Sequence, residues 1–287
     1  MRRYIKRITP VLIFKKILLK KLMPGMFTLS LITTILCILH LKFDVVNIKM
    51  SAALPGYMGA ALGLLLVFRN NSAYDKWWEA RKEIGSLVNT SRNIMLTING
   101  TLPHGNQIKT DFSKLVMAFV FTLKEHLRNG AKLDNMSDLE SEDFAKVQHA
   151  EHKPLMITNV MMNKIESLYQ EKVITGIQQL LLIEKVNLLV DILGKCERIR
   201  NTPIPMAYGF LLKFFINVYV IFLPLSLIND LGLWCIPLVM ILYYLLMSIV
   251  ITAEEIEEPF GEDLNDISMD LIAENIKANI LEIVAQE

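Results

Sequence analysis

The sequence predicts an all-α membrane protein with four transmembrane helices per subunit, continuous with a helical cytoplasmic region. Four stretches of about 20 residues carry almost no charge, which is the length a membrane-spanning helix needs. Elsewhere apolar residues recur every three or four positions, and no alternating β pattern stands out. The chain of 287 residues is 53% hydrophobic and 21% charged, with a mean hydropathy of +0.38. Soluble proteins are less apolar and more charged, so we expect one membrane-embedded part and one soluble part.

The four predicted membrane segments run over residues 22–41, 50–68, 205–227 and 231–253, and only Lys213 interrupts them. The first is interpreted as a retained helix rather than a signal peptide, because no small-residue cleavage site follows it. The apolar stretch 115–123 is too short to cross a bilayer and predicts a buried helix in the soluble part.

Lysine and arginine near the ends of these segments predict the orientation. The first 21 residues contain eight basic residues and no acidic one, which favours a cytoplasmic N-terminus. The short loops at 42–49 and around Asn229 are then external. Both termini and the long middle region are cytoplasmic, and the protein is expected in the cell inner (plasma) membrane.

The predicted organisation has four parts: 1–68 with the basic N-terminus and helices one and two, a cytoplasmic region 69–204, membrane helices 205–253, and a cytoplasmic C-terminal helix in 254–287. In the cytoplasmic region we predict a helix that ends at Asn129, a helical face from Val160 to Leu168, and a long helix over 173–199. Ser137 and Glu140 have capping-box spacing, and residues 266–286 are amphipathic. No Gly- or Ser-rich linker separates these helices, so we expect them to continue the membrane helices as one body.

Composition and motifs exclude several functions. A net charge of +1 argues against nucleic acid as a partner. The three cysteines are too widely spaced for a disulfide framework or a CxxC zinc site. No phosphate-binding loop, HExxH or GxSxG motif occurs, so no enzyme is indicated. His149 and His152 are three residues apart, but without a third ligand nearby we interpret them as solvated surface.

Two features inside the membrane segments carry functional hypotheses. Lys213 is an ionisable residue in segment three, which is a functional candidate by default, but we expect it to snorkel to the interface or to make an intersubunit contact. In segment two, Ala60, Leu64 and Phe68 lie at i, i+4 and i+8 and share one helix face. That pattern is typical of ordinary packing, or of apolar rings around a pore that gates by dewetting.

Three stretches are more specific: FRNNSAYDKWWEAR at 68–81, PIPMAYGF at 203–210 and EEPFGEDLNDISMD at 257–270. In this order and spacing the chain resembles a bestrophin, and specifically a compact prokaryotic one. The paired tryptophans Trp77 and Trp78 and the acidic run after Pro-Phe-Gly are the distinctive elements. The resemblance covers nearly the whole chain.

The resemblance implies a homopentameric channel with an all-α subunit. It places the pore neck at Ala60, Leu64 and Phe68, and the small Ala60 implies a wider outer ring than the family usually has. It places a second apolar ring, the cytoplasmic aperture, at Ile177. Trp77 and Trp78 are expected to pack the junction between the neck and the cytoplasmic region.

Animal bestrophins bind calcium with the acidic run after Pro-Phe-Gly, and Asp263 and Asp266 match positions of that clasp. Leu264 interrupts the acids, and Glu258 replaces an asparagine ligand. We therefore expect no cofactor, with at most a vestigial weak calcium site at Asp263 and Asp266. The alternative is that one of these aspartates caps the C-terminal helix.

The main hypothesis is a passive pentameric channel that conducts small inorganic ions through the bilayer, with chloride or another anion as the family default. The alternatives are a sodium-selective cation channel of the same family, or a membrane-anchored signalling or scaffold protein. A secondary transporter is disfavoured because no internal repeat relates segments one and two to three and four. The partners implied are further copies of this chain, lipid and the permeant ions.

Overall fold

The computed structural model describes residues 2–43, 53–102, 107–128 and 141–285. These residues form α-helices joined by short connections, and no strand occurs among them. The helices are α1 (Arg2–Phe43), α2 (Ala53–Thr101), α3 (Gln107–Leu127), α4 (Ser141–Gln148), α5 (Lys153–Gln170), α6 (Gly176–Asn201), α7 (Met206–Leu231), α8 (Cys235–Ile256) and α9 (Met269–Ala285). The prediction of an all-α fold is confirmed.

The predicted membrane segments are largely α-helical where the structure describes them; Pro205 precedes α7, and Gly232–Trp234 separate α7 from α8. Segment one lies in α1, segment two begins α2, and segments three and four lie in α7 and α8. By length and composition, two candidate membrane spans occur in the described residues, Leu18–His40 and Gly176–Ile256. The second of these contains α7 and α8.

The turn between α7 and α8 falls three residues later than the sequence predicts. Helix α7 continues through Asn229 to Leu231, and a short 3₁₀ turn over Gly232–Trp234 follows. Gly232 has a φ of 54°, in the left-handed region that glycine adopts without steric cost. The glycine, rather than the first polar residue, therefore ends the helix.

The chain divides into two compact units. The first consists of Met1–Lys76, Pro203–Glu257 and Asp263–Asn265, and the second of Trp77–Thr202, Glu258–Glu262 and Asp266–Glu287. Helix α2 contributes residues to both. Its 49 residues are more than twice the ~20 that a membrane-spanning helix needs.

In the first unit α1, α7 and α8 pack against one another. Its core contains Leu22, Leu62, Leu212, Ile216 and Val239. A smaller cluster holds Cys37 and Cys235, both buried, with their sulfur atoms 3.2 Å apart. The three cysteines are free, and the fold brings two of them together.

In the second unit α3 packs against α5, α6 and α9. All the α3 residues that the helical spacing assigns to one face are buried: Phe112, Leu115, Val116, Phe119, Leu123 and Leu127. The predicted face of α5 is buried as well, from Val160 to Leu168. The amphipathic pattern thus identifies core residues of both helices, although α3 also buries every residue from Ala118 to Lys124. The predicted capping pair Ser137 and Glu140 lies outside the described residues.

One predicted helix start is wrong by three residues, and the predicted cap of the C-terminal helix is wrong too. Helix α6 begins at Gly176 rather than 173, because Thr175 is its N-cap in a capping box with Gln178. Helix α9 begins at Met269, inside the amphipathic stretch 266–286. The Ile267 N–H donates to Pro259 O at 2.9 Å, which holds this segment in a loop. Since Asp263 and Asp266 precede that loop bond, neither is at the N-cap position that the sequence suggested for them.

Candidate functional site

The residues predicted for the pore neck lie on one exposed face of α2. Leu64 is 58% exposed and Phe68 60% exposed, and Ala60 is exposed too. Leu62 and Leu66, on the opposite face, are buried in the core of the first unit. The subunit therefore uses one apolar face of this helix for its own packing and leaves the other uncovered.

A glycine helps to fix which face is buried. A Cβ on Gly59 would lie 3.2 Å from the Tyr219 hydroxyl of α7, so any larger side chain would push that ring away. A small residue leaves room for the side chain of a neighbouring helix. Gly59 precedes Ala60, whose own face is exposed.

The apolar stripe ends at a buried ion pair. Arg69, directly after Phe68, is 7% exposed and its guanidinium contacts the carboxylate of Glu257. The other oxygen of Glu257 accepts a hydrogen bond from the Ile204 N–H at 2.9 Å. The three sequence stretches that carry the bestrophin resemblance contain one of these residues each, so they meet at this point.

The last turn of α8 and the residue after it carry three acidic groups that each pair with a different helix. Lys213 of α7 contacts Glu254 at 2.6 Å, and Lys21 of α1 lies 3.8 Å from Glu255. With Arg69 of α2, three basic residues thus converge here. Lys213 therefore has a partner within its own subunit, where the sequence suggested snorkelling or an intersubunit contact. The run Glu254-Glu255-Ile256-Glu257, directly after an apolar segment, was the available signal for this cluster.

The predicted aperture residue lies at the start of α6. Ile177 is 82% exposed, and Leu180, Leu181 and Leu188 continue an exposed apolar stripe. The opposite face, which includes Leu182, Val186 and Leu189, is buried. The capping box of Thr175 and Gln178 fixes the backbone next to Ile177. As in α2, one apolar face is left without cover inside the subunit.

The paired tryptophans differ in burial. Trp77 packs against the core of the second unit, whereas Trp78 is about half exposed. Their rings stack with centroids 6.4 Å apart. The expected packing role of Trp77 and Trp78 at a junction between neck and cytoplasmic region stays a prediction.

The acidic run does not gather into a cluster of three ligands. Asp263 belongs to the first unit and Asp266 to the second, and no third carboxylate or imidazole completes a group with them in the described ranges. Calcium prefers six to eight oxygen ligands, more than two carboxylates provide. The weak calcium site at Asp263 and Asp266 stays a prediction without structural support.

Sequence reasoning missed one cluster of potential ligands, formed by His126, His152 and Glu197. The Nε2 atoms of both histidines lie 2.7 Å from the same Glu197 oxygen. Burial raises the pKa of Glu197, but the hydrogen bonds from His126 and His152 outweigh it and leave the pKa below its ordinary value. His149, the predicted neighbour of His152, is not a member. The members are 26 and 45 residues apart in sequence, so no local motif connects them.

Comparison with known proteins agrees with the bestrophin resemblance over nearly the whole chain. A sequence profile of the family described as Bacterial/Fungal Bestrophin protein matches residues 2–282. The chain belongs to this bestrophin family. Voltage-dependent anion channel-forming protein alr2987 of Nostoc sp. is 35% identical over 246 residues, which cover 84% of this chain and 79% of the relative. Voltage-dependent anion channel-forming protein YneE of Escherichia coli K12 is 29% identical over 271 residues, or 94% and 87% of the two chains.

Solved bestrophin structures have the same fold. A crystal structure of a bacterial bestrophin homolog from Klebsiella pneumoniae, a tryptophan-to-alanine variant, superposes with a TM-score of 0.88 at 26% identity, covering 94% of this chain and 98% of that one. A second structure of that homolog superposes with a TM-score of 0.85 at 25% identity over 91% and 98%. The bestrophin resemblance is confirmed, and the family match identifies the chain as a channel protein and not an enzyme.

Proposed function

We propose that this bestrophin is a passive, homopentameric anion channel of the inner membrane, with chloride as its main permeant ion. The observation that carries the proposal is the uncovered apolar stripe of Ala60, Leu64 and Phe68, which ends at the buried ion pair of Arg69. Relatives of 29–35% identity are named as anion channel-forming proteins, which supports anions as the permeant class.

In the proposed pentamer, five copies of the α2 stripe surround the pore axis as three stacked rings. Narrow apolar rings exclude water and so hinder ions until they widen. The edge of the Phe68 ring carries partial positive charge, which favours a passing anion. The small side chain of Ala60 makes the outer ring the widest of the three, and Leu64 and Phe68 form the tight part.

The exposed stripe of α6 provides a second apolar ring at Ile177, which we propose as the cytoplasmic aperture. Its neighbours Leu180 and Leu188 are also exposed in the single chain, which supports contact with further copies of the chain. The basic N-terminus supports cytoplasmic termini and four membrane crossings, by the positive-inside rule.

The direct test is the reversal potential of the purified protein in a planar bilayer under a potassium chloride gradient. A potential near the chloride equilibrium value supports the proposal. A potential near the potassium value would instead identify a cation channel of the same family. Absence of current in a preparation with an intact oligomer would favour the scaffold hypothesis.

The neck itself is tested by the double variant Leu64→Ala with Phe68→Ala. Removing both tight rings lowers the barrier to ion entry, and a decrease of about 1.4 kcal/mol raises the passage rate roughly tenfold. We therefore expect a single-channel conductance about ten times higher. Phe222→Ala is the matched control, because Phe222 is also exposed but lies on α7. Unchanged current in the double variant, or an equal increase in the control, would contradict the neck assignment.

A further inference from the structure

The cluster of His126, His152 and Glu197 has the composition of a metal site. We propose that it binds a divalent transition metal of the zinc class, at one ion per chain. The inference is independent of the channel proposal, because it concerns binding within the second unit and its test needs no current.

The donor set matches zinc chemistry. Zinc is commonly held by two imidazole nitrogens and one carboxylate oxygen, with water in a fourth position. One candidate ligand atom from each of the three residues lies within 4.8 Å of the other two. Ligands about 2.0–2.1 Å from a tetrahedral zinc are roughly 3.3 Å apart, so the 2.7 Å contacts of Glu197 need to open only slightly. Calcium and magnesium prefer oxygen ligands and are disfavoured here.

The three residues are positioned by three helices. His126 lies in the last turn of α3, and its carbonyl accepts a hydrogen bond from Arg200 of α6 at 2.8 Å. That bond holds α3 against the helix that contains Glu197. His152 is the N-cap of α5, where its Nδ1 accepts from the Leu155 N–H at 3.3 Å. The site is thus largely formed before an ion arrives, which reduces the ordering cost of binding.

Access and charge also suit a cation. The side chains of His126, His152 and Glu197 are 25%, 36% and 26% exposed, so an ion and a water ligand can reach them. Glu197 supplies the negative charge. The adjacent Cys196 does not contribute a thiolate: it is buried in the core, and that burial raises the pKa of its thiol to about 12.

Metal binding would replace the two hydrogen bonds to Glu197 and would also break the N-cap bond of α5. Because Nδ1 of His152 accepts from Leu155, the neutral ring carries its proton on Nε2 and donates it to Glu197. A metal on Nε2 requires that proton to move, through solvent, to Nδ1. On Nδ1 the proton faces the Leu155 N–H. The N-cap bond of α5 is then lost. At 3.3 Å this bond is at the long end of the range, and Pro154 has no N–H that needs a cap.

The test is titration of the full-length, tag-free, chelator-treated protein in detergent with Zn²⁺ by calorimetry, and with Co²⁺ by absorption spectroscopy. We expect one Zn²⁺ per chain and the visible bands of tetrahedral cobalt. His152→Asn keeps an N-capping side chain but removes the imidazole, and His126→Gln removes the other one. Each should weaken zinc binding at least about a hundredfold, since even changes beyond the ligands themselves cost tenfold to a hundredfold.

His149→Gln is the matched control, because His149 lies three residues from His152 and outside the cluster. It should bind zinc as the wild type does. Equal binding by wild type and His152→Asn, or no binding by a wild type that elutes as an intact oligomer, would overturn the proposal and leave the cluster as a hydrogen-bonded contact between helices. Elution volume and melting temperature of each variant separate lost ligands from lost folding.

Discussion

The two units of this protein use large apolar side chains in opposite ways. In the first unit, α7 exposes Phe210, Phe214 and Phe222 to its surroundings while burying other apolar residues. In the second unit, α3 buries Phe112 and Phe119 completely. Large apolar side chains on a helix surface suit a lipid environment, whereas water favours their burial. We expect this difference if the first unit faces lipid and the second faces water.

The units also differ in how they use charge. The first gathers its ion pairs at the end of α8 and buries the pair of Arg69 and Glu257. In the second, the pair of Arg198 and Glu79 is 63% and 40% exposed. A buried pair is costly to break, because the remaining charge stays away from water. An exposed pair contributes little.

The largest expected effect tests the difference between the units in how they expose large apolar side chains. Phe119→Ala should lower the free energy of unfolding by about 4 kcal/mol, because it leaves a cavity in the core of the second unit. Phe214→Ala should cost less than about 1 kcal/mol, because the lost surface faces lipid in both states. Thermal unfolding in detergent, followed by circular dichroism, compares the two variants. Similar losses would show that α7 is buried against protein rather than lipid.

The second prediction tests the difference between the buried ion pair of the first unit and the exposed ion pair of the second. Glu257→Ala leaves Arg69 buried without its carboxylate and removes the acceptor of the Ile204 N–H, so it should cost about 3 kcal/mol. Glu79→Ala removes an exposed carboxylate of the second unit and should cost less than about 1 kcal/mol. The same thermal measurement applies. If Glu257→Ala is as mild as Glu79→Ala, the junction of the three signature stretches does not depend on this ion pair.

The smallest expected effect is a pH dependence in the second unit. Hydrogen bonds from Lys124 and Arg128 lower the pKa of Asp270 to about 2, below the ordinary value near 3.9. Because the folded pKa is the lower one, these contacts stabilise the fold fully above about pH 4 and are lost as the pH falls towards 2. Asp270 is 64% exposed, so solvent screening limits the effect to less than about 1 kcal/mol.

The measurement for Asp270 is the melting temperature of wild type and Asp270→Asn between pH 2 and pH 5. The difference between them should be present at pH 5 and vanish near pH 2. Asp191→Asn is the matched control, an exposed aspartate on α6, and should show no such convergence. A constant difference across the range would mean that Asp270 acts through packing rather than charge.

Local sequence patterns predicted much of the fold. The spacing from Phe112 to Leu127 identified the buried face of α3, and charge-free stretches identified α1, α7 and α8. The errors were at helix ends, as at Gly176 and at the cap suggested for α9. There a single cap or a single backbone bond decides where the helix begins, and the apolar periodicity carries no information about it.

The candidate site was predictable only in part. Ala60, Leu64 and Phe68 share a face of α2 because a spacing of four residues alone puts them there. That this face is left uncovered, while Leu62 on the other face is buried in the core of the first unit, became visible only in the structure. The exposed face of α6 around Ile177 likewise became visible only when the buried face was known.

The sequence by itself determined the helices, the apolar segments, the stripe of α2 and the bestrophin signature, because each depends on residues a few positions apart. Only the tertiary structure decided which charges pair and which ligands converge. Arg69 and Glu257 are 188 residues apart, and His126 and Glu197 are 71 apart. Contacts over such separations depend on how helices cross and on their register, and helical periodicity specifies a face of a helix but not its neighbour.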